Sequence, residues 1–597
     1  MTVLVFLLVL LAAKALSLAG HSVPTSMMAA VALTWQDVLV AGIFALVITI
    51  VRRAWVKWLL FGVAVTYTAL NLAVIRVLSS PLTLQMLKAA RGALSDSIVH
   101  YLRFDVLAPV IGLVAGAALL AFALRNVTLT RRACVGLSCA GLAWVIAGPY
   151  ATSKVDIRGM ERNSIMALVS STLPRIRAAE STDQGRNWRQ SPTGLERDVE
   201  DLSWLRGIAR NRNIILVMLE SAGAEYLHSY GSQKNPMPFL DGLSKNAVVF
   251  ENAYAVYPES IKTLYSVLAS QYPALDVSPD VLARSQRRDS WLAYGLKQAG
   301  YTSGLFHSGR FMYLGMDSIV SHSGFDVIED AGAIGGNRES SFGVEESATI
   351  NRMLGWVESL TPGQRFFLTY LPIAGHHPYD TPQSGPFPET EERDRYLNAL
   401  FYADSSLKAL IQGLESRGRL KDSVLIIAGD HGEAFGKHEG NFGHSLFIND
   451  ENVRVPLMIV APGKIEKEVR VNRPVSLIDI APTILELEGR ELPETCQGVS
   501  MLAGREQMVL FYTDYSLTWL GLRDGCLKYV HEVGSGRDRL YDLCEDPDEQ
   551  QDISSHLPGR LRSYRDHVMS WSREQKARRA GVETQEKALT AAQIVVN

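Results

Sequence analysis

Asp430 and His431 stand side by side in Gly429-Asp-His-Gly-Glu433, and two further histidines, His438 and His444, follow in the adjoining stretch. A carboxylate beside an imidazole suits a hard-to-borderline divalent cation such as Mn, Zn or Mg better than a soft, thiophilic one. The residues that must position this pair precede it. Val424-Leu-Ile-Ile-Ala, closed by Gly429, reads as a strand buried on both faces of a parallel sheet. In open α/β folds ligands gather beyond the carboxyl ends of such strands. A second run, Asn213-Ile-Ile-Leu-Val-Met-Leu, ends on Glu220. Two neighbouring strands are therefore expected to converge acidic side chains at one sheet edge.

Hydroxyl chemistry comes from the stretch between them. Pro258 and Ser260 mark a loop and a helix start, after which Thr263, Ser266 and Ser270 share one helical face. A hydroxyl in a first helical turn lies where free N–H groups favour an anion. A metal can lower its pKa and make it a nucleophile.

The 597 residues exceed the length of one ordinary domain, and their average composition, 47% hydrophobic and 20% charged, conceals a sharp division. Residues up to about Tyr150 are almost wholly apolar, and the rest resembles a soluble protein. A net charge of -3 and the lack of a long basic run argue against a nucleic-acid partner. Five stretches reach spanning length: Val3–Ala19, Val38–Val51 with its apolar approach from Met28, Trp58–Val77, Leu107–Leu124 and Ala133–Tyr150. Lys14 lies in the first, where it must face other helices or snorkel. Arg52, Arg53 and Lys57 follow the second span, and Arg125, Arg131 and Arg132 the fourth, so both loops are expected in the cytoplasm. With five spans the N-terminus is then cytoplasmic, and everything after Tyr150 is outside. Leu82–Phe104 and Met160–Ile176 read as interfacial helices or as helices packed on the catalytic domain. About Ala178–Arg212 is a polar linker with a short helix. An extracytoplasmic domain permits one disulfide among Cys496, Cys526 and Cys544, with the pairing open.

Several motifs together carry a family resemblance. Asn213–Glu220, Pro238-Phe-Leu-Asp-Gly-Leu, Phe250-Glu-Asn-Ala-Tyr254, Thr263-Leu-Tyr-Ser266, Gly429–Glu433 and Val455-Pro-Leu-Met-Ile resemble the sulfatase-type branch of the alkaline phosphatase superfamily. Leu540–Glu549 is similar to that branch's C-terminal motif. The apolar N-terminal part makes the whole resemble lipoteichoic acid synthases and lipid A phosphoethanolamine transferases. The fold implied is a bundle of five transmembrane helices, then an α/β/α sandwich with a mostly parallel central sheet, and a small C-terminal α+β subdomain. The domain limits expected are 1–152, 153–212, 213–490, 491–575 and a polar tail at 576–597.

By position, the resemblance makes Glu220, Asp430, His431 and the Thr263 oxygen ligands of a divalent cation, with Thr263 the nucleophile. It makes His377 and His444 candidates to protonate a leaving alcohol, and Lys262, Arg310 and His438 candidates to hold the substrate anion. His307-Ser-Gly-Arg310 with Phe311 and Tyr313, and Gly375-His-His-Pro-Tyr379, resemble segments of the teichoic acid enzymes. Ester-cleaving sulfatases mature a Cys or Ser in Cys/Ser-x-Pro-Ser-Arg to formylglycine, which a threonine cannot become. Glu220-Ser221 also replaces their calcium-holding Asp-Asp.

The reaction these readings imply moves a phosphoethanolamine- or phosphoglycerol-type group from a membrane lipid donor to an envelope glycan or lipid through a Thr263 phospho-enzyme. The setting would be a bacterial-type cytoplasmic membrane, with the catalytic domain on its outer side. A hydrolase of phosphate or sulfate esters is the alternative within the fold. A non-catalytic lipid-sensing scaffold is the alternative outside enzymes. Oligomeric state is left open.

Overall fold

Asn213–Leu219 is apolar at every position, and both of its faces are covered. The computed structural model describes residues 2–89, 104–173, 176, 187–192, 199–277, 282, 291–312, 315–336, 339–340, 342–491, 493–505 and 507–596. In it strand β1 (Asn213–Leu219) is buried throughout. Ile214, Leu216 and Met218 face one layer of core, and Ile215, Val217 and Leu219 the other. That alternation is the period of a strand between two helical layers.

The remaining strands of the sheet are β2 (Ala247–Phe250), β3 (Thr302–His307), β4 (Val327–Glu329), β5 (Phe366–Leu371), β6 (Ser423–Gly429), β7 (Leu457–Val460) and β8 (Val469–Val471). Their order is β8-β2-β7-β6-β1-β5-β3-β4. β7 is antiparallel to both neighbours and the other pairs are parallel, so the sheet is mixed rather than simply parallel. Helix α8 (Ser260–Ala269) contributes to the first core layer, and α9 (Glu346–Ser359) and α10 (Glu392–Ser416) to the second. β1 and β6 are parallel neighbours from Asn213–Ser423 to Leu219–Gly429, so Glu220 and Asp430 leave the sheet together.

A four-stranded antiparallel sheet follows, β9 (Val509–Thr513) to β12 (Arg537–Asp542), with β10 (Trp519–Asp524) and β11 (Leu527–Glu532) between. Helix α11 (Pro558–Val596) packs Tyr564, Val568 and Trp571 against it. The expected polar tail from 576 therefore continues a helix. Its Ala, Glu, Gln and Lys content favours that state. Cys526 and Cys544 form a disulfide across the β11–β12 hairpin, and Cys496 is free.

Among the described residues of the N-terminal part four helices, not five, are long and apolar enough to cross a membrane. They lie within α2 (Met27–Ile50), α3 (Ala54–Leu78), α5 (Phe104–Ala123) and α6 (Arg131–Lys154), with α4 (Leu84–Ala89) between α3 and α5. The first expected span is α1 (Thr2–Ser17), of 16 residues. At about 1.5 Å per residue it rises roughly 24 Å, short of a hydrocarbon core of about 30 Å. Its Val5, Phe6, Val9 and Leu10 nonetheless pack on α2, among them Phe44 at 4.7 Å between ring centroids.

Of the expected interfacial segments, residues 90–103 and 174–175 lie outside the described residues. Within Met160–Ile176 the helix is only α7 (Ser164–Ser170), capped by Asn163. In the linker, residues 177–186 and 193–198 also lie outside them, and a single turn at Ser203–Leu205 is the short helix.

Candidate active site

Glu220, Asp430 and His431 are buried, and one ligand atom from each lies within 4.8 Å of the others. Their backbone is specialised to hold them there. Ser221 adopts φ 53°, a left-handed conformation costly for a residue with a side chain. This turns its N–H to Asp430 Oδ1 at 2.9 Å and its hydroxyl to Glu220 Oε1 at 3.1 Å. Gly375 passes behind with φ 107°, where a Cβ would stand 2.2 Å from the Glu220 carbonyl oxygen.

His431 donates from Nδ1 to the Gly432 carbonyl at 2.9 Å. Its Nε2 is thereby left as an acceptor, 3.6 Å from both Glu220 Oε1 and Asp430 Oδ2. Burial, and then the charge of Asp430, hold the Glu220 carboxyl well above its usual range. Two carboxylates and an imidazole lone pair crowded together out of water are a donor set that a divalent cation would satisfy. The residues present fit such an ion.

The hydroxyl that joins this cluster is Ser260. Its Oγ lies 3.1 Å from Glu220 Oε2, 3.3 Å from Oε1, and 3.1 Å from His431 Nε2. Thr263 is elsewhere. Fully buried, it donates to the Tyr257 carbonyl at 2.7 Å. The reason is helical geometry: α8 begins at Ser260, so the mouth of the helix belongs to that residue. Thr263 lies one turn on, its side chain directed back under the loop. Ser260-Ile-Lys-Thr263 and Thr263-Leu-Tyr-Ser266 share one spacing, and it is Ser260, one turn ahead of the expected Thr263, that lies beside the cluster. The contrast with formylglycine enzymes changes accordingly. Ser260 is a residue type that can mature, but Lys262 and Leu264 stand where the maturation motif has Pro and Arg.

His444 is brought to the cluster. Its ring stacks on His431 with centroids 4.1 Å apart, and Nδ1 lies 3.1 Å from Glu433 Oε2. Burial works against the charged imidazole, but Glu433, together with Glu220 and Asp430, outweighs it and lifts His444 to about 9. Glu433, although buried, is kept below its usual range by His444. Of the two adjacent histidines, His376 faces this group. Its pKa is lowered to about 4 by burial, with His444 and Glu433 among its electrostatic neighbours. His377, expected to protonate the leaving group, points to Glu392 at 3.3 Å.

The substrate-anion candidates do not gather here. Lys262 is buried, with its ammonium 2.7 Å from Asp514 and 3.8 Å from the Tyr257 ring centroid. His438 is buried and bound through Nδ1 to Glu451 at 2.9 Å. Arg310 is exposed at the end of the segment led by His307. His307 itself is buried, stacked on Phe311 and bound to the Leu371 carbonyl. Tyr313 lies outside the described residues.

Comparison with known proteins bears on this geometry. The family model described as Sulfatase matches residues 212–489, which span β1 through the cluster to the end of the core. These residues are a sulfatase domain. A second model, N-sulphoglucosamine sulphohydrolase, C-terminal, matches residues 438–558. "Lipoteichoic acid synthase-like YvgJ" of Bacillus subtilis is 25% identical over 317 residues, 50% of this chain and 51% of that protein. "Arylsulfatase K" of Mus musculus is 28% identical over 242 residues, 36% of this chain and 43% of that protein. The chain thus spans about half the length of the curated relatives it matches. Among solved structures, a protein in the alkaline phosphatase superfamily from Vibrio parahaemolyticus has a TM-score of 0.52 at 20% identity. The match covers 66% of this chain and 94% of that one. The sulfatase domain therefore has the alkaline phosphatase superfamily fold.

Proposed function

We propose that the chain is a membrane-anchored, metal-dependent phosphotransferase that uses Ser260 as its nucleophile. The observation that carries this is the Ser260 hydroxyl at the mouth of α8, within hydrogen-bond distance of both Glu220 and His431. A divalent cation held by Glu220, Asp430, His431 and Ser260 Oγ would keep that hydroxyl deprotonated and offset charge on the phosphate oxygens. Ser260 Oγ forms a bond to phosphorus as the bond to the lipid's glycerol oxygen breaks. His444 gives that oxygen its proton; Glu433 occupies Nδ1, so Nε2 is the nitrogen that serves. In the second half the acceptor hydroxyl bonds to phosphorus, returns a proton to His444, and releases Ser260 Oγ.

The donor class is a phospholipid with a phosphoethanolamine or phosphoglycerol head, and the acceptor a glycan or lipid of the envelope. The similarity to a lipoteichoic acid synthase-like protein supports that choice. The basic residues support the orientation. Arg52 and Arg53 between α2 and α3, Arg125 after α5 and Arg131 at the start of α6 favour the cytoplasm for both loops. The catalytic domain is then extracytoplasmic whether or not α1 spans, although with four spans the N-terminus is extracytoplasmic too. Division into units at 152, 212, 490 and 575 is part of this reading.

The similarity to arylsulfatase K supports a second reading, hydrolysis with water as acceptor. The test is head-group release and transfer by the full-length protein in phosphatidylglycerol or phosphatidylethanolamine vesicles with Mn2+. Loss of both activities in Ser260→Ala, and their retention in Thr263→Val, is the result expected. Turnover by Ser260→Ala at the wild-type rate would remove the nucleophile assigned here. Release without transfer to any added glycan would select the hydrolase.

A further inference from the structure

Three consecutive residues at the end of β9, Tyr512, Thr513 and Asp514, touch both loops that carry the reacting groups, and all three are buried. On one side stands the segment leading into α8. Tyr512 donates its N–H to the Val256 carbonyl at 3.0 Å and sets its ring edge-on to Tyr257, with centroids 5.1 Å apart. Asp514 Oδ1 accepts from Lys262 Nζ at 2.7 Å and from the Tyr257 hydroxyl at 3.0 Å. Its Oδ2 accepts from the Asp276 N–H at 2.6 Å. On the other side stands the loop of the proton donor. Thr513 Oγ1 donates to the carbonyl of Ser445, the residue after His444, at 2.5 Å.

The alternation of a strand explains how so short a segment serves two loops. Tyr512 and Asp514 project to one face and Thr513 to the other. Tyr512 accordingly packs in the cluster that contains Tyr257, whereas Phe511, on the face of Thr513, packs with Leu446 and Phe447. Glu259, immediately before Ser260, has Lys262, His444 and Asp514 as charged neighbours, so the two loops meet there. Lys262 lies in the first turn of α8, its buried ammonium against Asp514 and 3.8 Å from the Tyr257 ring centroid. Holding that ammonium holds the turn that begins with Ser260. On the donor loop Asn452 also binds the Gly443 and His444 carbonyls, at 3.2 and 3.3 Å, so Thr513 does not act there alone.

We propose that Thr513 and Asp514 are positioning residues that set the gap between nucleophile and proton donor. Asp514 fixes the first turn of α8, and with it Ser260; Thr513 fixes the backbone that carries His444. The inference rests on the transfer reading, with Ser260 as nucleophile and His444 as acid. Proton transfer needs hydrogen-bond reach, and a displacement of about 1 Å is enough to lose roughly 10²-fold in rate. The two residues differ in which substrates they affect. In every donor the P–O bond to the leaving group breaks as Ser260 Oγ bonds to phosphorus. Diacylglycerol leaves as an alcohol and takes the proton of His444, whereas p-nitrophenolate leaves without one.

The experiment uses the full-length protein with Mn2+ in phosphatidylcholine nanodiscs and two phosphoglycerol donors, phosphatidylglycerol and the p-nitrophenyl ester of glycerol phosphate. The readout is the ratio of kcat on the nitrophenyl donor to kcat on the lipid. General damage slows both donors; only a displaced proton donor moves the ratio. His444→Gln should raise it by about 10²–10⁴-fold, the usual contribution of a general acid. Thr513→Val and Thr513→Ala, which lose the bond to Ser445, should each raise it about tenfold, and Thr513→Ser should bring it back. Lys262→Met combined with Asp514→Asn leaves no buried charge unpaired. It should lower kcat on both donors about tenfold at unchanged KM, with the ratio of the wild type. A ratio raised by His444→Gln but by neither Thr513→Val nor Thr513→Ala overturns the inference, and so does a paired variant with wild-type kcat. A ratio unmoved by His444→Gln removes the proton donor itself, and the transfer reading's acid with it.

Discussion

The stretch from His431 to Glu451 carries two histidine–glutamate pairs of similar length and opposite surroundings. At its front, His444 and Glu433 are 3.1 Å apart, and the imidazole stacks on a residue of the acidic cluster. At its back, His438 and Glu451 are 2.9 Å apart and both almost fully buried, with Asn441 donating to the same carboxylate oxygen. Beyond His438 lies Glu549, 3.9 Å from Nε2, and beyond that the buried Lys528. The bond is nearly the same in both. What differs is the far side of the ring: an open cluster for His444, and the C-terminal sheet for His438. The front pair can move a proton to a substrate, and the back pair can only anchor the loop to β11.

This contrast should separate the variants by what they damage. His444→Gln should lower head-group transfer by about 10²–10⁴-fold, the usual range for a lost general acid, with little change in melting temperature. His438→Ala should do the converse. Leaving a buried carboxylate without one of its hydrogen-bond donors costs on the order of 1–3 kcal/mol, read as a lower urea midpoint, while the folded fraction keeps most of its turnover. A large loss of turnover in His438→Ala at unchanged stability would erase the distinction between the two pairs.

Cation binding sharpens the same boundary. At a hundredfold excess over its Kd, Mn2+ should stabilise the wild type by about 2.7 kcal/mol in calorimetry. Asp430→Asn should lose that gain, and His438→Gln should keep it. Chelation should reverse the gain in the wild type and in His438→Gln, and change nothing in Asp430→Asn. Smallest of all, Thr263→Val removes a buried hydrogen bond at nearly constant volume. It should cost about 1–2 kcal/mol of stability and leave turnover within severalfold.

Much of this could be read from the sequence where chemistry coincides with local pattern. The uninterrupted apolar runs before Glu220 and Asp430 gave away two central strands, because only a sheet covered on both faces tolerates them. Their parallel pairing then brought the carboxylates together without further information. Ser260 was harder to read because hydroxyls recur at intervals of three from 260 to 266, and only the exact start of α8 selects among them. Helix boundaries are set by capping geometry more than by pattern. The deciding signal was Pro258-Glu259, which stops the chain just ahead of Ser260. Lys262 was unreadable for another reason: its partner, Asp514, follows the end of β9, far along the chain. For His438 and His444, loop composition gave no sign of which would turn outward. The first apolar run resembled a span until its helix ended at Ser17, with Lys14 bound to protein carbonyls.

The most direct test of the central claim is peptide mapping of the full-length protein, trapped by acid during turnover with Mn2+ and a head-group-labelled phospholipid. A phospho-substituted adduct on Ser260 is the result expected, absent from Ser260→Ala and unchanged in Thr263→Val. An adduct on Thr263, or on neither hydroxyl while transfer proceeds at full rate, would contradict the account.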